Sequence, residues 1–335
     1  MSRFRLLLLG LSVLLALSCA VSLGFGAAQV PLERVLAILG QHLFGSVPDV
    51  AVSVGQDSIV WQLRAPRVLL GALVGAGLAL VGTALQAVTR NPLADPHLLG
   101  VSSGAALGAV IVVLYLGEFI GLLSLPLAAF VGALVSMLLV LAIASRGGRL
   151  ESERLLLAGV AVSFVMMAAS NLLLFLGDHH AASSVIFWML GGLGLARWEL
   201  LWLPALCLML ALLLLLGLAR ALNALMAGEH SAVSLGLEPR RVRLLVFVCA
   251  SLLTGVLVSL SGAIGFVGLI LPHVARFLVG AEHRRLLPVS ALLGALFLVW
   301  VDVAARTLLA PQDLPIGIAT AAIGGVFFVL LLRRR

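Results

Sequence analysis

The sequence predicts an all-α polytopic membrane protein, a single transmembrane domain over 1–335 with ten membrane-spanning helices, and three observations predict it. Hydrophobic residues make up 62% of the chain and charged residues 10%, with a mean hydropathy of +1.23, a composition that would aggregate as a water-soluble domain. Apolar runs recur at roughly 20 residues, the length that crosses about 30 Å of hydrocarbon. Arginine is unevenly shared: with both termini inside, sixteen of the 21 basic residues fall on inner loops, and only Arg34, Arg64, Arg67, Arg197 and Arg306 fall outside. Positive-inside sorting leaves that bias, and Trp61, Trp188, Trp198, Trp202 and Trp300 all land near the outer interface, where amphipathic rings are favoured.

In chain order, the run 6–27 follows Arg3 and Arg5 and reads as the first span, not a signal peptide, because no small-x-small cleavage pattern precedes a polar region. The mixed segment 28–66 lies outside, with a short helix over 31–44 that starts at Pro31 and has apolar spacing at Val35, Leu36 and Leu39. The second span, 67–88, ends at TRNPLADP, whose prolines force a turn. Spans follow at 98–116, 122–144 and 155–176. The glycine-broken stretch GDHHAASSVIFWMLGGLGLARWE is an outer loop holding a short helix, and the remaining spans are 200–218, 244–260, 265–279, 289–305 and 316–332.

Between the sixth and seventh spans, 219–243 is the longest polar interruption. Its basic residues place it inside, and its helical spacing of Ala, Leu and Met with breakers at Gly228, Gly236 and Pro239 predicts two short helices joined by a turn. The competing reading is a solvated connector.

The chemistry is sparse. All 21 basic residues are arginine, so a phosphate-binding loop of the GxxxxGK[ST] type is absent and the chain cannot hydrolyse ATP through one. Cys19, Cys207 and Cys249 sit in apolar runs without metal spacing and read as core residues. Few ionisable groups fall within spans, chiefly Asp302, His273 and Arg276, which disfavours an ion-coupled carrier. Gly71 and Gly75, then Gly100, Gly104 and Gly108, repeat at four-residue spacing and would let helices approach closely. The strings GTALQAVTRNP (82–92) and GAIGFVGLILP (262–272) share end residues and length, a faint sign of an inverted repeat relating the second to fifth spans with the seventh to tenth.

Several motifs in order, WQLRAPRVLLGALVGAGLALVGTALQAVTRNPLADPHLLGVSSGAALGA, RLLLAGVAVSF, GEHSAVSLG, GAIGFVGLILPHVAR and LPIGIATAAIGGVFF, resemble the FecCD permeases. These are the membrane subunits of ABC importers for iron chelates, haem and vitamin B12, and the resemblance runs from Trp61 to the end. It implies a B12-permease-like fold of ten helices, a homodimer with the path between subunits, two cytosolic ATP-binding subunits and a periplasmic substrate-binding protein. The setting it implies is the bacterial inner membrane, with no cofactor and no nucleic acid.

Three sites are carried over. Arg64, Arg67 and Arg306 match arginines that meet glutamates of the binding protein; exposed guanidiniums would suit an acidic partner, with lipid-phosphate contact as the alternative. Gly228, Glu229, Ala232, Leu235 and Gly236 match the loop that couples to the ATPase. Ser152 and Glu153 match a cytoplasmic gate, although Glu153 departs from the small hydroxyl residue of the family, and helix capping explains both equally well. His179 and His180 are one neighbouring pair, short of a convergent metal site.

The expected function is therefore the non-catalytic permease subunit of an ATP-driven importer of a ferric siderophore or haem. Alternatives are a vitamin B12 importer permease, an ion-coupled secondary carrier and a membrane enzyme that turns over alone.

Overall fold

The structure, a computed structural model, describes residues 3–45, 50–145 and 152–333. Every regular element among them is helical, as a chain in hydrocarbon requires if it is to satisfy its own backbone polar groups. In order the helices are α1 (Arg3–Ser22), α2 (Leu32–Phe44), α3 (Val54–Asp57), α4 (Ala65–Thr89), α5 (Val101–Ile111), α6 (Ser124–Ala144), α7 (Ser152–Leu176), α8 (His179–Met189), α9 (Trp202–Gly217), α10 (Ala219–Ala227), α11 (Glu229–Ser234), α12 (Pro239–Ser261), α13 (Val267–Val279), α14 (His283–Thr307) and α15 (Ile316–Arg333).

Among the described residues, seven helices are long and apolar enough to cross a membrane, and three shorter apolar helices, Val101–Leu116, Val267–Val279 and Ile316–Leu330, accompany them. Each of the ten predicted runs coincides with one of these. The short helices expected over 31–44 and inside 219–243 are present as α2 and as the pair α10 and α11.

Burial sorts the bundle into layers. The apolar stretches holding α4, α12 and α14 are 83%, 72% and 72% buried, against 11% for α1 and 22% for α7 and α9. The first three form the core, and the others turn large apolar side chains such as Leu17, Phe164 and Leu213 outward. Glycine makes the core contacts possible. A Cβ at Gly75 would overlap the carbonyl of Gly294 on α14, and one at Gly82 the carbonyl of Gly268 on α13. Between α5 and α6, Gly104 meets Gly132 and Gly108 meets Ala128 in the same way. The predicted stripe is thus realised at Gly75, Gly104 and Gly108, while Gly71 meets only a Leu193 methyl.

Two features differ from the sequence-based expectation. The polar stretch before the second span is already helical from Val54. Ser53 opens it with a capping box, its hydroxyl accepting from the Gln56 amide at 3.2 Å, and a π-helical stretch, Ser58–Arg64, carries it into α4. Five-residue π hydrogen bonding breaks the 3.6-residue periodicity, so the apolar pattern hides the helix. Likewise α5 is preceded by a 3₁₀ turn, Pro96–Leu99, and ends in a π stretch, Val112–Leu116.

The strings 82–92 and 262–272 also adopt different backbones. Gly82 lies inside α4, whereas Gly262 ends α12 at φ 64° and Pro272 lies inside α13. The two strings nevertheless touch: Gln86 Nε2 donates to the carbonyl of Gly268 at 3.0 Å. Beside them the loop 91–95 and the linker 262–266 meet, His97 Nε2 lying 2.8 Å from the carbonyl oxygen of Ile264 and Asp95 capping the His97 amide at 2.8 Å.

Candidate functional site

Arg64, Arg67 and Arg306 converge at one end of the bundle, where the π-helical stretch enters α4 and where α14 ends. They were expected to be exposed; the structure corrects this, since Arg64 and Arg306 are only 7% and 4% accessible. The physical reason is the end of α1. Carbonyls at its last residue and in the turn that follows have no intrahelical donor, and a helix C-terminus attracts cations. Arg64 Nη1 donates to Leu23 O at 2.8 Å and Nη2 donates to Ala28 O. Arg306 Nη1 reaches Phe25 O at 3.0 Å and Nη2 reaches Ser22 O at 3.3 Å. Gly26, at φ 151°, is needed in this wrap because any Cβ there would run into the Arg64 guanidinium.

Two carboxylates complete the cluster. Asp302, fully buried, takes Arg67 Nε at 2.8 Å on Oδ1 and lies 2.9 Å from Arg306 Nε through Oδ2. Asp313, on the link between α14 and α15 and 43% exposed, takes Arg67 Nη1 at 2.5 Å. Three guanidiniums against two carboxylates leave the cluster one positive charge in excess. All three arginines and Asp313 line an open pocket of about 360 Å³ whose walls include Gly26, Leu63 and Leu193. Excess positive charge around an open cavity suits an incoming carboxylate, which Arg67 can reach by exchanging Asp313. The sequence singled out Asp302 without its partners and missed Asp313. The four-residue spacing of Asp302 and Arg306 was the readable signal.

The opposite end of α14 meets α10, the first helix of the pair α10 and α11. Asn223 Oδ1 on α10 accepts from the backbone amide of His283 at 3.0 Å, and Asn223 Nδ2 reaches Glu282 at 3.5 Å. Gly228, at φ 126°, separates the two short helices, and Gly236, at φ 75°, ends the second, its amide donating to Val233 O and that of Leu237 to Ala232 O. Of the five expected residues, Ala232 is fully buried and anchors α11, whereas Leu235 is 70% exposed and Val233 beside it 58%. Glu229 is fixed to Arg243 of α12 at 3.0 Å, and this hydrogen bond holds its carboxyl below the usual range. The result is a rigid double turn with an apolar knob at its tip, tied to α12 by an ion pair and to α14 by Asn223.

Ser152 and Glu153 stand at the start of α7, and His179 and His180 at the start of α8; their side chains lie outside the described residues. Among the described residues, no group of three or more His, Cys, Asp or Glu side chains could hold a metal ion. The three cysteines are free and half-buried, and His273 packs edge-on against Phe277 and Phe327.

Comparison with known proteins adds the following. A family model described as the FecCD transport family matches residues 14–334. The chain is 43% identical to the cobalamin import system permease protein BtuC of Halobacterium salinarum, over 83% of this chain and 74% of that one. It is 41% identical to the hemin transport system permease protein HmuU of Yersinia pestis, over 82% of this chain and 84% of that one. Among solved structures, an ABC transporter in an inward-facing conformation, assigned there provisionally to the metal-chelate type, superimposes with a TM-score of 0.84 at 33% identity, covering 99% of this chain and all of that one.

Proposed function

The chain belongs to the FecCD transport family and is a multi-pass permease of an ABC importer of the metal-chelate and B12 type, and from that premise we propose that it imports an iron chelate, a ferric siderophore or haem, across a bacterial inner membrane as a homodimer. In this reading ten helices cross the bilayer, both termini are cytoplasmic, and the path runs between the two copies. A periplasmic binding protein docks at the arginine pocket, and two cytosolic ATP-binding subunits grip α10 and α11.

The observation that carries the proposal is the separation of two unlike surfaces along one rigid helix. The 25 residues of α14 span about 37 Å, with an electropositive pocket at one end and the anchored double turn at the other. A partner bearing carboxylates fits the first. A cleft that takes an apolar knob fits Val233 and Leu235, and closure of paired ATPases would move α10 and α11 as one lever. The chain would not itself hydrolyse ATP. An ion-coupled carrier is disfavoured because Asp302, the buried acid, is already neutralised by two arginines. Vitamin B12 is the second reading for the cargo, favoured by the 43% identity to a cobalamin permease.

The test is reconstitution with the ATP-binding subunits and a ligand-loaded binding protein. Replacing Arg67 by Glu puts a like charge against the incoming carboxylate and is expected to weaken capture of the binding protein by about tenfold or more, the scale of a disrupted charge pair at an interface. Co-purification of the ATP-binding subunits stays unchanged. Capture that survived the combined reversal of Arg64, Arg67 and Arg306 in a correctly folded permease would remove the docking role. The ligand whose loaded carrier stimulates ATP hydrolysis identifies the cargo.

A further inference from the structure

A second cavity lies away from both surfaces. It is a groove of about 670 Å³ bounded by the start of α6 (Leu127, Phe130), the start of α9 (Leu203, Cys207) and the last turns of α12 (Leu252, Val256). That volume falls within the roughly 300–1,000 Å³ that buries a small organic ligand. From Leu252 to Leu260 the groove follows α12 for about 12 Å. Its walls are almost wholly apolar, and it opens between two of the least buried long helices, α6 and α9.

One end of the groove is different. Arg197 and Glu199 line it there, beside Trp202. Both are exposed, and neither makes an ion pair or a side-chain hydrogen bond with any other described residue. Here the residue between them, Trp198, is fixed by its indole, which donates to Trp61 O at 2.9 Å and lies tilted against the Trp61 ring, centroids 4.6 Å apart. The segment thus holds one cation and one anion at the head of an apolar slot, beside the indole of Trp202, a side chain of the kind that favours the headgroup level of a bilayer.

We propose that this groove binds a phospholipid whose headgroup carries both a phosphate and a primary ammonium, that is, a phosphatidylethanolamine, with an acyl chain along α12, the phosphate on Arg197 and the ammonium on Glu199. The charge pattern selects this occupant. A guanidinium takes a phosphate through paired N–H donors, a contact that every phospholipid offers. Glu199 adds a demand for a hydrogen-bonding cation. A glycerol headgroup carries no positive charge, and a choline headgroup carries one without an N–H to donate.

The test uses the full-length protein purified in detergent and titrated, by native mass spectrometry, with phosphatidylethanolamine, phosphatidylcholine and phosphatidylglycerol of identical acyl chains. The protein is expected to retain the ethanolamine lipid about three- to fivefold better than the other two, the scale of a partly exposed ion pair. Glu199→Gln is expected to erase the preference over choline, Arg197→Gln to weaken all three lipids together, and Leu127→Trp, which fills the slot, to lower binding whatever the headgroup. Arg197 and Glu199 are exposed, so their variants keep the fold and decide the matter even if Leu127→Trp does not. Equal retention of ethanolamine and choline lipids, a preference for phosphatidylglycerol, or a preference that Glu199→Gln leaves intact would each overturn the proposal.

Discussion

Asp302 has no exposed surface, and two guanidiniums share its carboxylate. Removing that carboxylate leaves Arg306 buried with only carbonyl oxygens for company, and breaking one side of a buried pair costs about 3–5 kcal/mol. Asp302→Ala is therefore expected to lower the Tm of the purified protein sharply. Asp313→Ala removes a half-exposed partner from the same Arg67 and should cost about 1 kcal/mol or less. Equal losses in the two variants would mean that the buried network is not what holds this end together. At this scale the sequence was legible only in part. The spacing of Asp302 and Arg306 is visible in one dimension, but Arg67 is 235 positions from Asp302 and joins the cluster only once α4 lies against α14. The expectation that Arg64 and Arg306 stand exposed failed for a related reason. What buries them is the need for donors of the carbonyls at and just beyond the end of α1, and those carbonyls belong to the backbone, which has no signature in the side-chain sequence.

At the scale of elements, close backbone approach and local capping make separate predictions. A methyl at Gly82 would collide with backbone of α13, which cannot swing aside as a flexible side chain could. Gly82→Ala is expected to destabilise the bundle by about 1–3 kcal/mol, the usual scale of overpacking, whereas Gly10→Ala, where nothing lies within 4 Å, should be neutral or add up to about 1 kcal/mol of helix propensity. Matched thermal melts of the two variants distinguish packing from propensity, and a neutral Gly82→Ala would contradict the packing. In α11 the deciding contact is ionic. Arg243 depresses the pKa of Glu229, so the pair is complete at neutral pH, and its stabilisation is lost as the pH falls through that lowered value. Amide exchange across 229–237, corrected for intrinsic rates, should be flat from pH 8 to about pH 6 and rise in acid, and Glu229→Gln should abolish the acid-induced rise. A rise that persisted in that variant would assign it elsewhere. The apolar runs, the helix over 31–44 and the double turn were readable because each obeys a 3.6-residue period or a glycine stop. The helical start at Val54 was not, because the π stretch from Ser58 to Arg64 shifts the apolar face partway along.

For the whole molecule, the proposed roles of the two surfaces require that a nucleotide-driven movement at α10 reach the arginine pocket. Asn223 is the joint: it receives the His283 amide and contacts Glu282 at the very start of α14, and the far end of that helix carries Asp302 and Arg306. Between them α14 has no break, despite Pro288, and is locked to α4 where Gly294 meets Gly75. Such a rod passes displacement only if its ends are held, and two-state coupling of this kind is established by measuring both sites, not by proximity. Asn223→Ala removes the joint without touching the exposed knob of Val233 and Leu235 or the pocket arginines. It is expected to leave capture of the ATP-binding subunits and of the binding protein intact while the stimulation of ATP hydrolysis by the loaded binding protein falls toward the basal rate. Combined with Arg67→Glu, it should add little further loss of stimulation, because both changes interrupt one connection. Normal stimulation in Asn223→Ala, or additive losses in the double variant, would mean that the two ends communicate by a route other than α14.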